Sequence, residues 1–155
     1  MSSKTLSALK IVLWFVCLSH IILGAAIMLS PEFQQRVAAL YSAKVDWTPQ
    51  FVYILRPMGA FMLVLGMLGV AAARNPLRYQ FVVYGFAGLL LIRVVQRLVF
   101  QRDIHQAFGI EPSRNTINAL AFLALAALLV ALLQIAKRQS APSGDERGAR
   151  SAPLR

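Results

Sequence analysis

The chain holds 155 residues, 58% of them hydrophobic and only 14% charged, and its mean hydropathy is +0.62. Soluble domains run nearer to about 45–50% apolar and about 25% charged, so this composition points to a membrane protein. The net charge of +10 then reads as the cationic excess of cytoplasm-facing loops, with nucleic acid set aside as a partner, and the lone Cys17 excludes an internal disulfide, a Cys-based zinc site and a CxxC redox pair.

After a short polar start carrying Lys4 and Lys10, the run Ile11 to Leu29 predicts a first spanning helix, with Trp14 as an interface anchor. Its 19 apolar-rich residues exceed the core of a cleaved signal peptide, which favours a retained helix. Ser30-Pro31-Glu32 is a helix start: a capping hydroxyl, a proline at the first position and an acid near the positive end of the dipole. The segment it opens, residues 31–42, is too short to span. It sets Phe33, Val37, Leu40 and Tyr41 on one face, with Gln34, Gln35 and Arg36 elsewhere, as an interfacial helix would.

Thr48-Pro49 repeats the start signal beside Trp47, and Phe51 to Ala73 forms the second predicted span. Pro57 deprives that helix of one hydrogen bond and predicts a kink. Gly59, Gly66, Gly69 and Ala73 make a small-residue stripe suited to close packing inside the bundle, or against another membrane protein or a second copy. A basic turn, residues 74–78, leads into a third span over 79–100, and a polar stretch of mixed charge follows. Pro112-Ser113 precedes the fourth span, residues 117–136, with Ala124, Ala127 and Ala131 on one side. Residues 137–155 lack apolar periodicity and read as a disordered cytoplasmic tail. The expected fold is all-α: a four-helix antiparallel transmembrane bundle in a lipid bilayer, plus one short interfacial helix.

Charge sets the orientation. The amino end, the 74–78 turn and the start of the tail hold Lys4, Lys10, Arg74, Arg78, Lys137 and Arg138 without an acid, which predicts an inner membrane with both termini cytoplasmic. In the opposite loops Arg36, Lys44, Arg102 and Arg114 are offset by Glu32, Asp46, Asp103 and Glu111.

Cations within spans are costly, so Arg56, Arg93 and Arg97, with Gln96 between the last two and His20 at similar depth, are the candidate site. At about 1.5 Å per residue, Arg56, Arg93 and His20 lie roughly 8, 11 and 14 Å below the outer surface. Two readings stand open. In one, the arginines pair with Glu32, Asp46, Asp103 or Glu111 folded over the bundle mouth, or snorkel to headgroups. In the other, they line an outward pocket for an anionic lipid, a quinone or a small anion. His20 is expected to bond a neighbouring carbonyl or hydroxyl, since no second histidine at its depth offers a haem site and no ligands cluster for a metal. His105 lies in a loop near Asp103. No hydrolytic triad, phosphate loop or catalytic carboxylate pair is legible, and no cofactor is implied.

Ser30-Pro31-Glu32-Phe33 after the first span, Arg56-Pro57-Met58-Gly59 entering the second and Asn75-Pro76-Leu77-Arg78-Tyr79 between spans resemble the small bacterial BphX-like and DoxX-like membrane proteins. The resemblance covers about residues 11–136 and implies a bacterial four-helix inner-membrane protein, with Arg56 and Gly59 the best-matched positions. The thiol-redox activity of DoxX relatives needs cysteines absent here. The combined expectation is a membrane-embedded accessory or structural subunit without catalytic chemistry of its own. The alternative is a binding or transport module built on Arg56, Arg93 and Arg97.

Overall fold

A computed structural model describes residues 3–140. Among them are six helices and no strand: α1 (Ser3–Leu29), α2 (Pro31–Leu40), α3 (Pro49–Arg74), α4 (Gln80–Val99), α5 (Gln101–Phe108) and α6 (Pro112–Ser140). The chain is therefore an all-α polytopic bundle, in which α1, α3, α4 and α6 are long and apolar enough to cross a membrane.

The helix starts follow local chemistry. Ser30 Oγ accepts from the Phe33 N–H at 3.1 Å and donates to Glu32 Oε2 at 2.8 Å, while Thr48 Oγ1 accepts from the Phe51 N–H at 3.2 Å. Each satisfies a first-turn donor that the helix cannot. Helix α3 continues as one element across Pro57, whose missing N–H leaves the Tyr53 carbonyl without its usual helical donor.

Three sequence expectations need correcting. Residues 101–108 form α5, closed by Gly109 in the left-handed region (φ 63°), whose N–H reaches the His105 carbonyl at 2.9 Å. Helix α6 runs four residues beyond Ala136, through Lys137 and Arg138, cations that suit the negative end of a helix dipole. The rest of the expected tail, 141–155, lies outside the described residues. Finally, Gln34 is the most buried residue of α2 and Leu40 is exposed, although Phe33, Val37 and Tyr41 of the expected apolar face are half-buried. The reason is a carbonyl. Ile27 O would be bonded by the N–H of residue 31, which is proline, and Gln34 Nε2 takes that place at 2.7 Å.

Helices α1 and α3 pack so closely that their backbones touch. A Cβ at Gly59 would fall 2.7 Å from both Gly24 O and Met28 N, and one at Gly66 would lie 2.8 Å from Cys17 O. The glycine stripe of α3 is thus spent inside the bundle. Helix α4 packs mainly on α6, and α6 also touches α1, whereas α3 and α4 meet only sparsely despite the short turn between them. That turn is fixed by Asn75 Oδ1, which accepts from the Arg78 N–H at 3.3 Å.

The core sits at the turn end of the bundle. Leu9, Leu13, Ala72, Val83, Leu129 and Leu133 are fully buried there, drawn from the start of α1, the end of α3, the start of α4 and the end of α6. Large apolar side chains cover the perimeter, with Phe15 and Phe61 about two-thirds exposed, as a hydrocarbon solvent permits. At the other end α2 and α5 cap the bundle, tied by Lys44 N–H to Phe108 O at 2.7 Å and by Arg114 Nη2 to Leu40 O at 3.2 Å. Beneath this cap the helices leave space.

Candidate functional site

The space is a cavity of about 500 Å³. Its walls come from α2 (Gln34, Val37, Tyr41), the loop before α3 (Trp47), α3 (Phe51, Leu55, Met58), the α5 region (Ile104, Phe108, Ile110) and Phe122 of α6. Helix α4 contributes Arg93, Gln96 and Arg97, spaced by three and four residues and so on one face. The lining is apolar and aromatic apart from those side chains and Gln34, and among the described residues it contains no carboxylate.

Arg97 is held from several sides. Its Nη1 donates to Asn115 Oδ1 at 2.7 Å, and Asn115 Nδ2 returns a bond to the Arg97 carbonyl at 2.7 Å. That carbonyl is among the last of α4 and has no partner in its own helix. Asn115, only 1% exposed, therefore joins the end of α4 to the start of α6 while orienting a guanidinium. The Arg97 guanidinium also lies 5.4 Å from the Tyr41 ring centre and 5.6 Å from that of Phe122, and Arg93 lies 5.7 Å from Phe122. The Phe122 ring faces both cations, and Tyr41 with the Asn115 amide holds Arg97 further, without neutralising either. Guanidinium groups in apolar walls, with spare N–H donors, can receive phosphate, sulfate or carboxylate oxygens through paired hydrogen bonds.

The predicted counter-charges do not close this site. Glu32, Asp46, Asp103 and Glu111 are all exposed, and among the described residues none forms an ion pair. Solvated carboxylates gain little from such pairs and would lose hydration on entering the cavity. Glu32 is already engaged: the Ser30 hydroxyl, then its own backbone N–H and the nearby Arg36, hold its carboxyl below the usual range.

The proposed cluster also loses two members. Arg56 is exposed, lies off the cavity-lining face of Phe51, Leu55 and Met58, and has no hydrogen-bond or ring partner among the described residues. The helical period turns it away from that face. His20 donates Nδ1–H to the Val16 carbonyl at 2.8 Å and meets the Phe86 ring edge-on at 5.4 Å, between α1 and α4 and outside the cavity lining. His105 bonds the Ile110 carbonyl at 3.1 Å through Nδ1 and makes no pair with Asp103. No group of three or more metal-ligating side chains occurs among the described residues.

Sequence reasoning missed Asn115, Tyr41 and Phe122 as site residues. The signal for two of them was present: Asn115, Ala119, Phe122, Ala126, Leu129 and Leu133 share one stripe of α6, on which a polar residue invites a buried partner. Tyr41 depended on how α2 folds back, which no periodicity reveals. Comparison with family models, curated proteins and solved structures gave no match, so the likeness to BphX-like and DoxX-like proteins rests on the quoted residues alone.

Proposed function

We propose that this chain is a multi-pass bacterial inner-membrane protein, both ends cytoplasmic, that binds the anionic group of an amphiphile in an outward-facing cavity. Arg93 and Arg97 receive the anion, Gln96 stands beside them, and the aromatic walls take the apolar part. One observation carries this reading: two guanidinium groups line an apolar cavity of about 500 Å³, and no carboxylate among the described residues neutralises them. Structural arginines in a membrane are ordinarily paired, and an unpaired couple at that depth marks a binding site. The cation excess at the opposite end of the bundle supports the outward orientation.

The accessory-subunit reading retains one observation in its favour. Gly59, Gly66 and Gly69 are consumed by α1 and the neighbouring Phe86, but Ala124, Ala127 and Ala131 lie exposed along α6 and remain free to meet another helix. The two roles are compatible, because that face is not part of the cavity lining.

The test is the amphiphile content of protein purified in mild detergent, measured by mass spectrometry after extraction. Wild type is expected to be enriched in an anionic lipid relative to the surrounding membrane, and the Arg93→Ala/Arg97→Ala protein to have lost that enrichment. Identical profiles for the two proteins would overturn the binding role. A stoichiometric complex with a larger membrane protein, unaffected by the arginine changes, would favour the accessory role.

A further inference from the structure

A second cavity, of about 490 Å³, lies between α3 and α4, both of which also wall part of the first. It is formed by Leu65 and Leu68 of α3 and by Phe81, Gly85, Gly88 and Ile92 of α4, among others, without a charged residue. Ile92, at one end of this groove, immediately precedes Arg93 of the arginine cavity, and Met58, about half exposed, stands at that cavity's edge on α3. The two spaces thus follow one another down the sparsely packed α3–α4 seam, cationic at the α2–α5 end and wholly apolar toward the turn.

The glycines of the groove stand out. Glycine inside a helix costs about 1 kcal/mol relative to alanine, and it is usually retained where something packs against it. A Cβ at Gly59 or Gly66 would collide with the backbone of α1, but a Cβ at Gly85 or Gly88 would meet nothing within 4 Å. Among the described residues, no neighbour requires Gly85 and Gly88. What they do is leave the seam open. From Arg93 to Gly85 is about 12 Å along α4, so the apolar groove carries on from the level of the arginines toward the turn end.

We infer that the α3–α4 seam holds the hydrocarbon chain of a membrane lipid whose anionic headgroup sits at Arg93 and Arg97, so that the ligand is an acyl lipid rather than a soluble anion. This rests on the binding reading above and names its ligand class. The fit is one of complementary ends: cations where the headgroup enters, apolar walls and missing side chains where the chain descends.

The experiment compares full-length wild type with Gly85→Leu/Gly88→Leu and with Arg93→Ala/Arg97→Ala, by native mass spectrometry in detergent. The probes are dioleoyl phosphatidylglycerol, its dihexanoyl analogue, dioleoyl phosphatidylcholine and inorganic phosphate. The leucine variant has room to fold, and its helicity and melting are checked alongside. It is expected to lose at least about tenfold in affinity for the dioleoyl anionic lipid, equivalent to roughly two methylene contacts, and to bind the dihexanoyl analogue as wild type does. Unchanged dioleoyl binding in the leucine variant overturns the seam assignment; if the arginine variant still loses binding, the cavity reading survives. Unchanged binding in both variants overturns both. Phosphate bound as tightly as the long-chain lipid makes the ligand a soluble anion. A wild-type dimer that the leucines dissociate makes the seam's occupant a second copy.

Discussion

Replacing Asn115 with alanine removes both halves of the exchange that joins α4 to α6. The bond from Arg97 Nη1 to Asn115 Oδ1, at 2.7 Å, involves a charged donor and belongs to the class worth about 1.5–3 kcal/mol. The bond from Nδ2 to the Arg97 carbonyl, also 2.7 Å, is a neutral one worth about 1 kcal/mol, and its loss strands a carbonyl at a helix end. These contributions do not sum, because the guanidinium is only half-buried, keeps its contacts with Tyr41 and Phe122, and can turn toward the cavity. A net loss of about 1.5–3 kcal/mol follows, below the full sum and within the range for breaking a buried polar network. Reversible unfolding in mixed micelles or bicelles, followed by far-ultraviolet circular dichroism, measures it. Asn115→Asp is the informative companion: it keeps an acceptor for Arg97 but brings a negative charge to the cavity, so it is expected to hold more stability than alanine while weakening anion binding. A loss below about 0.5 kcal/mol for Asn115→Ala would refute the reasoning, since that is the range of an ordinary surface change.

Gly59→Ala is expected to destabilise by about 1–3 kcal/mol, because its methyl meets backbone on α1, whereas Gly85→Ala is expected to be neutral or to stabilise by up to about 1 kcal/mol. The same unfolding assay on both variants checks the contrast, and equal effects would contradict the described α1–α3 contact. The Glu32 carboxyl, held low by Ser30, adds to the stability of α2 above the ordinary carboxylate range; this is lost as pH falls through its lowered folded value. Protection factors of the α2 amides, corrected for intrinsic exchange, should therefore fall at acid pH in wild type, and Glu32→Gln should remove that response. Arg56→Gln is expected to leave both stability and lipid affinity near wild type, since Arg56 is exposed and off the cavity; a several-fold loss of affinity would return it to the site.

Much of the fold is legible in the sequence because a bilayer enforces a simple rule. Hydrocarbon-length apolar runs must be helical, and the punctuation at Ser30-Pro31 and Thr48-Pro49 marks where helices begin. What escapes is whatever depends on how short polar segments fold back. Helix α5 has few apolar residues, and its signals are a left-handed glycine and end charges, which single positions state only weakly. Gln34 is polar yet buried because of a proline three residues earlier, a relation that hydrophobic periodicity cannot express. The site was half visible. Arg93, Gln96 and Arg97 share a face by spacing alone, while the separation of Arg56 depends on how α3 is turned against α1, which the glycine contacts decide. The loop acids looked like partners because charge was counted without the cost of desolvating a carboxylate.

An anionic lipid that enters the space beneath α2 comes within reach of Trp47. That side chain lines the cavity, and the chain's other tryptophan, Trp14, belongs to α1 and does not. In a Trp14→Phe background reconstituted into vesicles, bromine-labelled lipids quench Trp47 on contact. Brominated phosphatidylglycerol is expected to quench at a clearly lower mole fraction than brominated phosphatidylcholine, and Arg93→Ala/Arg97→Ala to erase the difference. Equal quenching by the two lipids in the protein with both arginines intact would contradict anionic-lipid binding in this cavity.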